Sequence, residues 1–383
     1  MISLVKNNIN YYKVISLSLF LIFNFINRDM SNIFLLATLL LCLIDFRGLR
    51  KALVEQKSII LAIIVFSIWI GLVGFYHTSP MHELDNYFRF LLLLPLLSIT
   101  LTKESINTVL IIGALVGMLH LLISTLYFDI DRYEGTSSNA ITYANLCALF
   151  FMVSIYNIFT SQKSKKTSLL IVSSIIFLYL YILTETRGPI IGITFGLIFL
   201  IYILKSKWLL IISILLFSSV ALIPNTLVDR LKYINQINIA ESHNIKQQSL
   251  RERMYYLNFG IMKIKSNSLF GIGPQNLERD MSYELDKAGI INVKSRDHLH
   301  NDFLDISSKF GIVSVFFMLF IYYSILRNSH KDYKSLSILV LIMLISSQLT
   351  QSHFAHHQAI SFFIVVLFTF IKKNSLKNNK NDI

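Results

Sequence analysis

Charge is scarce in this chain. Of its 383 residues only 15% are Asp, Glu, Lys or Arg, where a soluble domain carries roughly 25%. With 54% of residues hydrophobic and a mean hydropathy of +0.60, there are too few polar groups to cover a surface in water. A soluble enzyme, a disordered protein and a secreted disulfide scaffold are excluded, which leaves a polytopic membrane protein. Cysteine is nearly absent. Cys42 and Cys147 both lie in apolar runs, so neither a disulfide framework nor a cysteine metal cluster is supported. The His-Glu-x-x-His zinc pattern does not occur. No internal repeat stands out and few charges fall midway through the apolar runs, which argues against a transporter or flippase.

What the chain does have is apolar runs. About twelve approach the length of a membrane helix. They centre on 14–26, 31–45, 58–76, 87–102, 107–128, 139–160, 168–184, 189–204, 207–224, 310–326, 335–350 and 358–371. The fold expected is an all-α polytopic membrane protein. Residues 1–224 hold helices one to nine, 225–301 one large loop with short helices, 302–371 helices ten to twelve, and 372–383 a tail. The first run has Lys6 and Lys13 before it, but Phe23-Asn24-Phe25-Ile26 offers no small-residue cleavage site, so it reads as an uncleaved anchor.

The net charge of +13 points to the side on which loops are held, ahead of nucleic acid. Alternating the runs from a cytoplasmic N-terminus puts most of the basic residues inside. These are Lys6, Lys13, Arg47, Arg50, Lys51, Lys57, Lys103, Lys163, Lys165, Lys166, Lys205, Lys207, Arg327, Lys331, Lys334 and the basic tail. The short outer loops keep Arg28, Arg132 and Arg187. By the positive-inside rule both termini are cytoplasmic and the long loop 225–301 lies outside. Within that loop, Ser249 to Lys265 reads as a helix. Ser249 is its N-cap, and Leu250, Met254, Leu257 and Ile261 form one apolar stripe. Gly271-Ile272-Gly273-Pro274 then breaks regular structure.

Three groups at the outer face could do chemistry. In Thr184-Glu185-Thr186-Arg187-Gly188-Pro189, Gly188 permits a tight reversal and Pro189 suits the first position of the next helix. Arg187 beside a helix N-terminus suits a phosphate, although an arginine there can also snorkel to headgroups. Arg251-Glu252-Arg253 on the loop helix is either a solvated face or a second anion contact. Asp297-His298-Leu299-His300-Asn301-Asp302 offers histidines that can titrate near neutral pH and act as base or proton carrier. Beyond it, Asp302, Asp305 and Lys309 share a helical face and must meet water, a cavity or each other. Arg89 can touch an anionic headgroup or seal a helix interface, and Asn139, Tyr143 and Asn145 set polar groups in a span. His353, His356 and His357 have an i, i+3, i+4 spacing that could bind metal, but they read first as an exposed polar loop.

The order of these pieces resembles the O-antigen ligase and polymerase superfamily of bacterial inner membranes. That order is many spans, Thr-x-Thr-Arg-Gly, a large outer loop with an Arg-bearing helix, then His-x-His-Asn at a helix start. The likeness is best over 184–311, and Leu-Arg-Glu-Arg253 with His298-Leu299-His300-Asn301 favours the ligase branch. The resemblance implies an inverting glycosyl transfer at the periplasmic face, without cofactor or required metal. The donor is O-antigen on undecaprenyl pyrophosphate and the acceptor a sugar of lipid A–core. Carried over by motif, Arg187 and Arg253 bind the pyrophosphate and His300 activates the acceptor. Around them His298, Asn301, Arg251 and Arg89 are expected to help bind substrate. The nearest alternatives are an O-antigen or capsule polymerase and a related oligosaccharyltransferase.

Overall fold

The computed structural model describes residues 2–127, 133–135, 139–161, 164–222, 245–287 and 297–371, with side chains described throughout except at 2–7, 215–222 and 245–251. Arg132, Lys163 and the tail 372–383 lie outside the described residues. Among the described residues the regular structure is helical, apart from one antiparallel bridge between Ser329 and Ile371.

The first helices are α1 Ile2–Phe23, α2 Arg28–Ile44, α3 Phe46–Glu55 and α4 Lys57–Tyr76. Two single turns follow, α5 Met81–Leu84 and α6 Arg89–Leu92. Then come α7 Lys103–Tyr127, α8 Ala140–Thr160, α9 Lys165–Leu183, α10 Pro189–Leu204 and α11 Lys207–Leu222. The loop contributes α12 Ile245–Ser266 and α13 Pro274–Lys287. The chain closes with α14 Asp302–Phe310, α15 Ile312–Asn328, α16 Lys334–Gln348 and α17 His357–Thr369. Every apolar run except the fourth coincides with a helix. Among the described residues α4, α7, α8 and α9 are long and apolar enough to cross a membrane unaided. The pair α2 and α3 would make a fifth span but is bent by 90°.

The fourth run departs from expectation. Residues 85–98 proceed in short pieces, Asp85–Phe88, Arg89–Leu92 and Leu94–Ser98. Pro95 is the second residue of the last of them; proline has no N–H to give to the preceding turn and its ring clashes with that turn. The α2–α3 bend also has a local cause. Asp45 accepts Gly48 N–H at 3.1 Å, capping α3, and pairs with buried Lys13 at 2.6 Å. A carboxylate serving a cap and a buried cation together fixes the corner.

Contacts sort the connections into two ends. At one end Asn328 Nδ2 donates to Ser58 Oγ at 2.8 Å, Lys103 Nζ to Thr160 O at 3.0 Å, and Lys166 pairs with Glu104 at 3.2 Å. At the other end Tyr133 N–H donates to Leu183 O at 3.3 Å, and Phe354 N–H to Asp302 Oδ1 at 3.2 Å. The basic connections thus gather at the first end, and the candidate chemical groups at the second.

The core centres on α8 and α17. In the apolar window of α8, 83% is buried, against 33% for α7 and α9, so α8 is enclosed while its neighbours keep an outward face. Phe25, Phe150, Phe177 and Phe362 pack where α1's end, α8, α9 and α17 meet, with ring centroids 5.1–5.4 Å apart for Phe25–Phe150, Phe25–Phe177, Phe150–Phe177 and Phe150–Phe362. Such edge and tilted contacts add to the area buried.

The loop helices have a small core of their own: Tyr256, Phe259, Ile272, Leu277, Met281, Leu285 and Leu299. This corrects two expectations. Helix α12 begins at Ile245, a turn before Ser249. Its buried face carries Tyr256 and Phe259, while Met254, Leu257 and Ile261 are exposed. The loop is fastened to the bundle backbone to backbone. Ile272 N–H donates to Ser308 O at 2.8 Å, Gly273 N–H to Lys309 O at 3.0 Å and Ile312 N–H to Ser268 O at 2.8 Å. The first two bonds satisfy carbonyls at the end of α14. Gly271 and Gly311 sit at φ 65° and 81°, and a Cβ on either would strike the opposing backbone, so the close approach needs glycine at both.

Candidate active site

The Arg187 turn is built by its threonines. Thr184 Oγ1 donates to Tyr181 O at 2.7 Å and Thr186 Oγ1 to Thr184 O at 3.1 Å. Both residues are buried and Glu185 takes φ 51°. The chain reverses there and enters α10 with Pro189 in its first turn. Arg187 is half-buried. A Cβ on Gly188 would meet Thr350 Oγ1, so the turn packs on the loop between α16 and α17.

The same loop receives the histidine turn. Asn301 caps α14 by accepting Leu304 N–H at 3.1 Å, and its Nδ2 donates to Leu349 O at 3.0 Å. Leu299 is buried in the loop core, and the His298 and His300 rings meet edge to face at 4.5 Å. His300 adopts φ 53°, a left-handed conformation that costs a side-chain-bearing residue roughly 1–2 kcal/mol. It persists only where the surroundings hold it. His298 is buried, with Nδ1 2.9 Å from Asp297 Oδ1. A carboxylate at one ring nitrogen orients an imidazole and selects its tautomer.

Helix α12 brings the cation. Tyr256 packs on His300 with ring centroids 5.4 Å apart. Arg253, three residues earlier, shares that face and is near enough for its charge to act on His300. His300 therefore does not titrate near neutrality. Burial first, then the His298, Arg253 and His356 charges, lower its pKa to about 3, so its imidazole stays neutral throughout the physiological range.

His356 is the residue that sequence reasoning passed over. It and its neighbours were expected in an exposed polar loop. Instead His353 is fully buried, and the half-buried His356 ring packs 5.5 Å from His298. Burial and the His298 charge lower the pKa of His356 to about 4. The available signal was its company: the loop after α16 lies at the same end as His298 and His300.

The remaining expected residues fall as follows. Arg89 pairs with Asp85 at 3.1 Å; burial first, and then the Arg89 charge, lower the pKa of His357, which borders His356. Asn301 has its amide engaged at both ends as a cap and strut. The side chain of Arg251 lies outside the described ones. Asn139 caps α8 and reaches His356, while Asn145 donates to Gln351 Oε1 at 3.3 Å. Among the described residues no group of three or more His, Cys, Asp or Glu side chains is arranged to hold a metal ion.

The structure thus packs the rings of His300 and His356 against His298, brings Arg253 near enough for its charge to act on His300, and seats the Arg187 turn on the adjoining Leu349–Thr350 segment. No curated protein matches the chain. The O-antigen ligase family model matches residues 172–321, a stretch that takes in Arg187, Arg253, His298 and His300. Over that stretch the chain is similar to the O-antigen ligase family.

Proposed function

We propose that the protein is an O-antigen ligase of the bacterial inner membrane. Its termini lie in the cytoplasm and its site faces the periplasm, where it moves O-antigen from undecaprenyl pyrophosphate to lipid A–core. The observation that carries this reading is Arg253 set beside a neutral His300, with Arg187 on the adjoining turn. A fixed cation next to a proton acceptor is the pairing that transfer from a diphosphate donor needs.

In the reaction, the acceptor hydroxyl oxygen attacks the anomeric carbon as the bond from that carbon to the diphosphate oxygen breaks. The bonding pair leaves with undecaprenyl diphosphate, and the hydroxyl proton passes to His300. Charge grows on the diphosphate in the transition state. Arginine is permanently charged and can grip two phosphate oxygens, so Arg187 and Arg253 stabilise that charge without a divalent ion. Bound diphosphate also offsets Arg253, which removes one cause of the low basicity of His300 and strengthens the base when the donor is in place. Attack opposite the leaving group inverts the anomeric centre. His298, buried against Asp297, orients His300 or the acceptor. Both substrates are lipids, and a site at one end of the bundle, between the loop helices and the spans, suits their entry from the bilayer.

The direct test uses purified protein in detergent with undecaprenyl-diphosphate-linked glycan and lipid A–core. Formation of glycan on lipid A–core is expected. Growth of lipid-linked glycan chains in place of that product would assign the protein to the polymerases.

A further inference from the structure

Asp305 is fully buried on α14 and uses both of its oxygens. Oδ1 accepts Leu299 N–H at 3.0 Å. Oδ2 takes Lys309 Nζ at 2.9 Å and the Tyr87 hydroxyl at 3.3 Å. Leu299 is the residue between His298 and His300. We propose that Asp305 is a positioning residue: by holding Leu299 N–H it fixes the turn that sets His298 against His300. Its part in glycan transfer rests on the function proposed above; its hold on the turn does not.

Several observations converge on this role. His300 is in a left-handed conformation without being glycine, so its turn must be held on both flanks. Downstream, Asn301 is tied to Leu304 N–H and Leu349 O. Upstream, Leu299 has its side chain in the loop core and its N–H on Asp305. A carboxylate makes a stronger bond to an amide than a neutral acceptor does, and Lys309, one helical turn on, pairs with its other oxygen at 2.9 Å. Tyr87, from the broken fourth run, braces the same oxygen and packs on Phe310 at 4.7 Å. A buried ion pair adds little net stability by comparison with apolar side chains of the same size. A carboxylate that bridges α14 to the histidine turn has a different use, which is to fix geometry.

The test compares two variants that both remove the ion pair. Asp305→Asn/Lys309→Met keeps an oxygen for Leu299 N–H, whereas Asp305→Ala/Lys309→Met does not. The probe is diethyl pyrocarbonate, read by mass spectrometry on the peptide that carries His298 and His300, with buried His353 as the internal control. The alanine variant should be acylated there at least about 5-fold faster than the asparagine variant, with His353 equally slow in both. Its kcat for transfer should be about 100-fold lower, with the donor KM within about 3-fold, because misplacing a reactive group costs turnover more than binding. Equal acylation of the two variants would overturn the proposal. So would rapid hydrogen exchange of the Leu299 amide in the wild-type protein, a measurement that needs no variant to fold. If the wild type transfers no glycan at all, the proposed function fails, and the acylation and exchange results still decide what Asp305 does.

Discussion

Asn139 Nδ2 lies 3.3 Å from His356 Nε2, while the Oδ1 of the same amide accepts Thr142 N–H at 2.7 Å. The bond to Thr142 sets which way the amide faces, so Asn139 presents a donor and His356 Nε2 must accept. The neutral imidazole then carries its proton on Nδ1. Protonating Nε2 would set two donors against each other, which agrees with the lowered pKa of His356. A helix cap on α8 thereby fixes the tautomer of a ring that packs on His298.

His356→Ala should lower the transfer rate by about 10-fold or more with insertion intact, since it removes a neighbour of both His298 and His300. Asn139→Ala should lower thermal stability by about 1 kcal/mol through loss of the cap. Both are read by transfer assay and thermal unfolding on purified variants. Wild-type turnover in His356→Ala would remove this ring from the site.

Arg187→Ala and Arg253→Ala should each abolish transfer, and lysine at either position should restore only part of it, because a point charge cannot reproduce the guanidinium fork. Adding a chelator should leave the rate unchanged. Loss of activity in chelator with recovery on a divalent ion would contradict catalysis by arginine alone.

The pH profile follows from the depressed pKa of His300. Its folded value of about 3 lies below the ordinary value near 6.5, so the base form is already complete above about pH 5. The free-enzyme profile of kcat/KM should show no acid limb near pH 6.5 from this residue. A limb there that disappears in His300→Ala would show that the imidazole is more basic than its burial implies.

Orientation is tested by single cysteines at Lys165, at the basic end, and Glu278, on α13. An impermeant thiol reagent applied to spheroplasts should label position 278 and spare 165. The reverse pattern would put the histidine turn on the cytoplasmic side and exclude a periplasmic reaction.

Much of the helical architecture was legible because apolar helices declare themselves by length and apolarity. Arg187, Arg253, His298 and His300 stood out as candidates because charged and titratable groups are rare in such a chain. Helix faces were harder to read. In a membrane protein an apolar side chain can face either lipid or core, so the Leu250–Ile261 stripe did not reveal that Tyr256 and Phe259 are the buried residues. The fourth run concealed the break at Pro95, since composition alone does not register a missing N–H. His356 was out of reach for another reason. Its place depends on a contact with Asn139, 217 positions away, and no local pattern encodes that; the brace of Asp305 by Tyr87, 218 positions away, was hidden in the same way.

Gel analysis of lipopolysaccharide from a deletion strain decides whether this chain joins finished O-antigen to lipid A–core, as proposed. Bare lipid A–core is expected, with polymer retained on the undecaprenyl carrier, and wild type but not His300→Ala should restore the long-chain ladder. Core capped by a single repeat unit would contradict the ligase assignment and identify a polymerase.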